Sequence, residues 1–261
     1  MRELLSDLEA DGPIDPVERA KVLSRRTLPK RFYKEVSVGA AEEGGHLVLL
    51  DGRPVKTAGR KTLTVPQLAL AEAVAGEWAA QETLIDPMTM PLTRIANVAI
   101  DAVALRLGEV ADDVAAYAGN DLLCYRADTP QSLVSRQETA WRPVLDWAES
   151  RFSGRFVLAE GIMPVRQDPV LIGRVRESLE GMAALRLAAL HVATTLTGSG
   201  LLALALEDGL LPAEAVWAAA HVDEDWNVEQ WGGDAEAEKV RALCKRDFDA
   251  AALILAETAR G

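Results

Sequence analysis

The spacing of apolar residues changes at Pro66, and this change limits what the chain can fold into. Before it, Phe32, Val36 and Val38 alternate with polar residues, Gly44-Gly45 marks a turn, and His46 to Leu50 forms a short apolar run. Asp51-Gly52 is a tight-hairpin signal leading into Arg53 to Thr57, and Lys61 to Val65 closes the set. Short strands joined by close turns predict an antiparallel meander. After Pro66, itself suited to a helix start, Leu68, Ala71, Ala75 and Trp78 recur at helical spacing.

Asp86-Pro87 and Met90-Pro91 interrupt that helix, and Leu92 to Leu107 begins another. Leu122 to Arg126 has the composition of an added edge strand, and Asp128-Thr129-Pro130 has the turn chemistry of a domain boundary. Beyond it, Leu133, Gln137, Trp141, Leu145 and Ala148 form one helical stripe. Further helices are expected near 169–185, 186–206, 212–231 and 235–258. The predicted class is α+β: a tail over 1–27 with a helical turn after Pro16, a small antiparallel β-meander/α domain over 28–128, and a mostly α-helical bundle domain over 129–261.

The chain has 28 basic and 40 acidic residues, a formal charge of −12. A sequence pI near 4.8 argues against nucleic acid as ligand, because phosphate binding needs a basic face. Arg25, Arg26, Lys30, Arg31 and Lys34 form a small local group, expected as a solvated loop before the first strand. Cys124 and Cys244 lie far apart without CxxC spacing, so buried reduced thiols are expected. The acidic N-terminus resembles neither a secretory signal nor an organelle presequence, and reduced thiols fit a cytosol-like compartment. Leu187 to Leu206 is uncharged and long enough to span a bilayer, but it holds His191, three threonines, Ser199 and two glycines. A helix buried on all sides, without stable membrane insertion, explains it better.

No GxxxxGK or GxGxxG loop is present, and Gly198-Ser199-Gly200 is too short for a nucleophile elbow. Thr197-Gly198-Ser199-Gly200 lies inside an apolar helical run and is expected to be a close helix-packing point. His221, Glu224 and Asp225, spaced i, i+3, i+4, are the one metal-like group, and they define the enzyme alternative, a metal-assisted hydrolase.

From Leu187 to Glu238 there is no lysine or arginine, yet this stretch contains Asp223-Glu224-Asp225-Trp226-Asn227-Val228-Glu229-Gln230-Trp231-Gly232-Gly233. Repelling carboxylates and large aromatics need a compensating interaction. On one continuous helix, Trp217, Glu224, Val228 and Trp231 share a narrow sector, with Asp225 and Glu229 on one flank, Asp223 on the other and Trp226 behind. Glu224 on an aromatic face either caps a polar network, pairs internally with an arginine such as Arg142 or Arg186, or faces a partner.

Lys30-Arg31-Phe32-Tyr33-Lys34, Thr64-Val65-Pro66, Glu77-Trp78, and Pro91-Leu92-Thr93 with Asn97 and Asp101 resemble a known family. Asp121 to Arg126, Trp141-Arg142-Pro143, Trp147-Ala148 and the Glu224 to Gly232 run follow in the same order. The resemblance, over about residues 28–250, is to the assembly chaperones of the F-type ATP synthase catalytic head, which hold the free α subunit. It implies a non-enzymatic, cofactor-free protein whose client is the α subunit, masked at the surface meant for the β subunit. It carries functional importance to Glu224, with Asp223, Asp225, Trp231 and Gly232 as the accompanying partner-binding residues. Related organellar proteins occupy the mitochondrial matrix and carry a presequence, so the resemblance implies the bacterial, cytoplasmic version for this chain. Trp226 departs from the pattern, which favours tyrosine there.

Overall fold

The computed structural model describes residues 28–160 and 165–259, so the expected tail over 1–27, with Arg25 and Arg26, lies outside the described residues. Strands β1 (Val36–Ala40) and β2 (His46–Leu50) pair antiparallel with Val36 opposite Leu50. Strands β3 (Arg53–Pro54) and β4 (Thr64–Val65) share the other edge of β2, Leu50 facing Arg53 and His46 facing Val65. At the predicted hairpin Asp51 (φ 47°) and Gly52 (φ 76°) both take the left-handed conformation that such a turn demands. Helix α1 (Leu68–Ala79) lies on this sheet and buries Leu70, Ala71 and Val74. The N-terminal meander and the helices after it give the predicted α+β class.

Of the basic group ahead of β1, Lys30 and Lys34 are exposed as expected, but Arg31 is half-buried. The Arg31 guanidinium donates to the carbonyls of Tyr33 at 3.1 Å and Gln81, and it stacks over the Tyr33 ring at 4.7 Å. Tyr33 in turn donates its hydroxyl to the Trp78 carbonyl at 2.7 Å.

Helix α2 (Pro91–Asp101) begins on a cap borrowed from α1. The Glu77 carboxylate accepts the N–H of Leu92 at 2.7 Å, the N–H of Thr93 at 2.8 Å and the Thr93 hydroxyl at 2.7 Å. Glu77-Trp78 and Pro91-Leu92-Thr93, separate runs in sequence, thus form one device that places an anion at a helix N-terminus. Burial pushes the Glu77 carboxyl above its ordinary value against the opposing pull of these donors. Glu77→Ala is expected to cost about 1–2 kcal/mol, read as a lower urea midpoint at unchanged m. At the far end of α2, Asp101 accepts from Thr57 Oγ1 at 2.8 Å and the Gly59 N–H at 2.7 Å, fastening the meander to the helix.

The helix expected to continue toward Leu107 stops at Asp101. A 3-10 turn, Val103–Leu105, follows, and α3 (Leu107–Gly119) starts anew. No proline or glycine marks this break; Val103 is drawn into the core instead. Leu122–Arg126 also differs from the expected edge strand. Leu122–Cys124 is a 3-10 turn, and β5 (Tyr125–Arg126) pairs parallel with β6 (Ala159–Glu160) across the long helix α4 (Gln131–Arg151). That partner is too distant in sequence for local patterning to announce.

The remaining helices are α5 (Pro169–Glu177), α6 (Ala184–Thr197), α7 (Gly200–Glu207), α8 (Ala213–Ala220), α9 (Val222–Trp231) and α10 (Ala235–Thr258). Helices α2, α3 and α10 pack against α6, and one continuous apolar core runs from Val48 and Leu63 in the meander region through Trp141 to Phe248. Among the described residues no helix is long and apolar enough to cross a membrane. Leu187–Leu206 is mostly buried but not on all sides, since Thr195 is exposed and His191 half-buried. It is two helices, because Gly198 (φ 65°) ends α6 and the Ser199 hydroxyl caps α7 by accepting the Leu202 N–H at 2.9 Å. Gly200 is the expected close-packing point: a Cβ there would lie 3.0 Å from Ala118 N and from Val114 O of α3.

Beside that crossing, Asp121 is fully buried. It accepts the Ser199 hydroxyl at 2.6 Å, the Leu201 N–H at 2.9 Å and the Leu123 N–H at 3.1 Å. Cys124 is buried, and burial pushes its thiol up to about 12. Cys244 is only half-buried, short of expectation, and both thiols are free.

Candidate functional site

The helix expected over 212–231 breaks at His221 (φ −113°, ψ 19°) into α8 and α9. The His221 ring N–H at Nδ1 donates to the Trp217 carbonyl at 2.8 Å, and the two rings stack with centroids 4.0 Å apart. This break separates the residues that a single helical wheel aligned. Trp217 is buried against Phe248, with ring centroids 5.2 Å apart, whereas Val228 and Trp231 are exposed, Trp231 at 83%. Glu224 therefore does not share a face with Trp217.

With no cation of its own between Leu187 and Glu238, α9 is served by its neighbours. From α4, Arg136 grips Glu229 with both ends of its guanidinium, Nη1 to Oε1 at 2.9 Å and Nη2 to Oε2 at 2.5 Å. Gln137, also on α4, donates Nε2–H to Asp223 Oδ1 at 2.7 Å. From α10, Arg241 holds Asp225 at 2.5 Å. Trp226 donates its indole N–H to Ser132 Oγ at 3.3 Å. The hydrogen bonds from Arg136 hold the Glu229 carboxyl below its ordinary value, and those to Asp225 raise the Arg241 guanidinium. Asp223, Asp225 and Glu229, the acids that the helical wheel put on the flanks, are thus tethered to neighbouring helices.

Glu224 is the carboxylate on α9 without such a tether. Its side chain is 67% exposed and, among the described residues, accepts no hydrogen bond; it meets His221 Nε2 at 3.9 Å and feels the charge of the Arg241 guanidinium that holds Asp225. Neither internal arginine suggested by sequence reaches it: Arg142 pairs with Asp146 and Glu149, and Arg186 with Glu207. Gly232 (φ +87°) ends the helix next to Trp231, so an uncommitted carboxylate, an exposed indole and the Gly232-Gly233 turn occupy one short stretch.

The hydrolase alternative loses its geometry here. Asp225 is taken by Arg241, His221 sits at the α8–α9 junction, and among the described residues no three His, Cys, Asp or Glu side chains are placed to hold a metal ion.

Sequence reasoning missed Arg136, Gln137 and Arg241. One signal was available for Gln137, a polar residue in the otherwise apolar stripe Leu133–Trp141–Leu145 of α4.

The ATP12 chaperone protein family model matches residues 30–149. Over its length the chain is 46% identical to the Atu1473 protein of Agrobacterium tumefaciens, covering 98% of this chain and 96% of that one with a TM-score of 0.83. It is 40% identical to Atp12 of Paracoccus denitrificans, covering 87% of this chain and 97% of that one with a TM-score of 0.79. A Schizosaccharomyces pombe relative, protein atp12, mitochondrial, is 23% identical over 81% of this chain and 76% of its own length. The molecule is a chaperone and not an enzyme. More particularly, the chain belongs to the ATP12 chaperone family, which serves ATP synthase assembly.

Proposed function

We propose that this chaperone binds the unassembled α subunit of the F-type ATP synthase through α9 and masks the surface destined for the β subunit, with Glu224, Asp223, Asp225, Trp231 and Gly232 forming the contact. An isolated subunit exposes apolar interface that aggregates if left open. A chaperone for it needs a desolvating aromatic anchor and charges that set register and on-rate. The observation that carries this reading is Glu224, exposed and without an internal hydrogen bond among the described residues, on the same helix as the exposed Trp231, while every other carboxylate of α9 is hydrogen-bonded. Compartment follows from relatives only, one of which is a mitochondrial protein.

The test is capture of separately expressed α and β subunits by the tagged chain. Recovery of α, but not of β, is expected; failure to recover α rejects the reading.

A further inference from the structure

Helix α9 buries no side chain fully; Val222, Asp223, Asp225 and Trp226 are half-buried, Val222 against the core. A ten-residue helix is marginal on its own, so its docking depends on whatever holds it from outside. Beyond the packing of Val222, that hold comes from Ser132, Arg136 and Gln137 on α4 and from Arg241 on α10. The two ion pairs are partly exposed and hence open to screening by salt. Both ends of the helix are breaks in the backbone path, His221 at one and Gly232-Gly233 at the other.

Gln137 does something the arginines do not. It is 2% exposed, and its Oε1 accepts the Ala127 N–H at 2.8 Å, just beyond β5. An N–H can only be met by the amide oxygen, which turns the Gln137 Nε2–H toward Asp223. One buried amide therefore joins the end of the β5–β6 pair to the first turn of α9.

We propose that Arg136, Gln137 and Arg241 are positioning residues: they dock α9 and thereby aim Glu224 and Trp231 outward. When they are removed, α9 undocks as a unit about His221 and Gly232 while the rest of the fold keeps its structure. The docking itself stands on the geometry of the free chain; its consequence for the client rests on the α-subunit reading above.

Hydrogen exchange on the full chain tests the docking without any client. Arg136→Glu sets like charges against Glu229, and Gln137→Glu, nearly isosteric, sets a carboxylate against Asp223. In each, amides of 225–231 should exchange about fivefold faster or more, with those of α6 unchanged. Wild type in about 1 M salt should move the same way as Arg136→Glu. Arg136→Glu combined with Glu229→Arg should restore slow exchange, which loss of general packing would not do. Unchanged exchange in α9, acceleration spread through α6, or no recovery in the reversed pair would each overturn the docking claim.

Affinity for the α subunit should fall in Arg136→Glu and return in the reversed pair. Equal capture by wild type and Arg136→Glu would overturn the positioning role. Absence of capture by wild type would instead reject the client reading, leaving the exchange data to judge the docking alone.

Discussion

Replacing Glu224 with lysine is expected to abolish capture of the α subunit while leaving the chaperone folded. Glu224 is exposed and makes no hydrogen bond, so its removal leaves no group unsatisfied. Stability should change by less than about 0.5 kcal/mol, as for other surface substitutions. Any relief of repulsion from Asp223 and Asp225 is offset by the loss of a carboxylate from the first turn of α9, where the helix dipole favours negative charge, so the net change should be small. The effect on the client is of another order. A lysine replaces attraction with repulsion at the register-setting position, and a loss of at least about 2 kcal/mol, some thirtyfold in affinity, is expected. Glu224→Gln separates sign from shape, and it should weaken capture less than lysine does. The readout is α-subunit affinity beside a thermal melt, and equal affinity in wild type and Glu224→Lys would sink the claim.

Asp121 should show the opposite profile, a large cost in stability with no direct effect on the site. Its carboxylate answers three buried donors, the Ser199 hydroxyl and the N–H groups of Leu201 and Leu123, with no arginine or lysine among them. Asp121→Ala strands all three, at about 1 kcal/mol or more each, so a total near 3–4 kcal/mol is expected. For a chain of this size that is a fall in Tm of about 10 °C. The pH dependence has a definite sign. Burial raises the Asp121 carboxyl to about 6 from an ordinary 3.8, although the donors pull the other way. A group raised on folding stabilises fully below its unfolded value and loses that contribution as pH rises through its folded value. The stability of wild type relative to Asp121→Asn should therefore be greatest below about pH 4 and fall by roughly 2–3 kcal/mol toward pH 6. A flat difference across that window would show that the carboxyl does not titrate in the folded state.

What could be read from sequence was what local chemistry writes down. The Asp51-Gly52 hairpin, the helix after Pro66 and the glycine crossing near Gly200 each rest on backbone freedom or periodicity within a few residues. The misses share a different cause. The break at His221 is made by a ring stacking on Trp217 and donating to its carbonyl, with no glycine or proline to signal it. The β5–β6 pair and the Arg136–Glu229 tie join residues separated by a helix or more. The motifs that carried the family resemblance divide in the same way. Glu77, Thr93, Asp101 and Asp121 turn out to be clamps of the fold, whereas the α9 run is the part of those motifs that the proposed client contact uses. Glu224 stands out in sequence for sharing a face with Trp217 and Trp231, whereas in the structure it stands out by its exposure and its lack of the hydrogen-bonded tether that the other acids of α9 have.

The stretch from Leu187 to Glu238 without a single cation also has a consequence in time. As synthesis proceeds, Arg136 and Arg186 already exist when Glu229 and Glu207 appear, but Arg241 and Lys245, which meet Asp225 and Glu214, are made only afterwards. Helix α10 brings those two cations together with Phe248, which fills the core beside Trp217. Helix α10 is thus the element that both neutralises and seals the region, so the acidic stretch is left unmatched and open until α10 has been made.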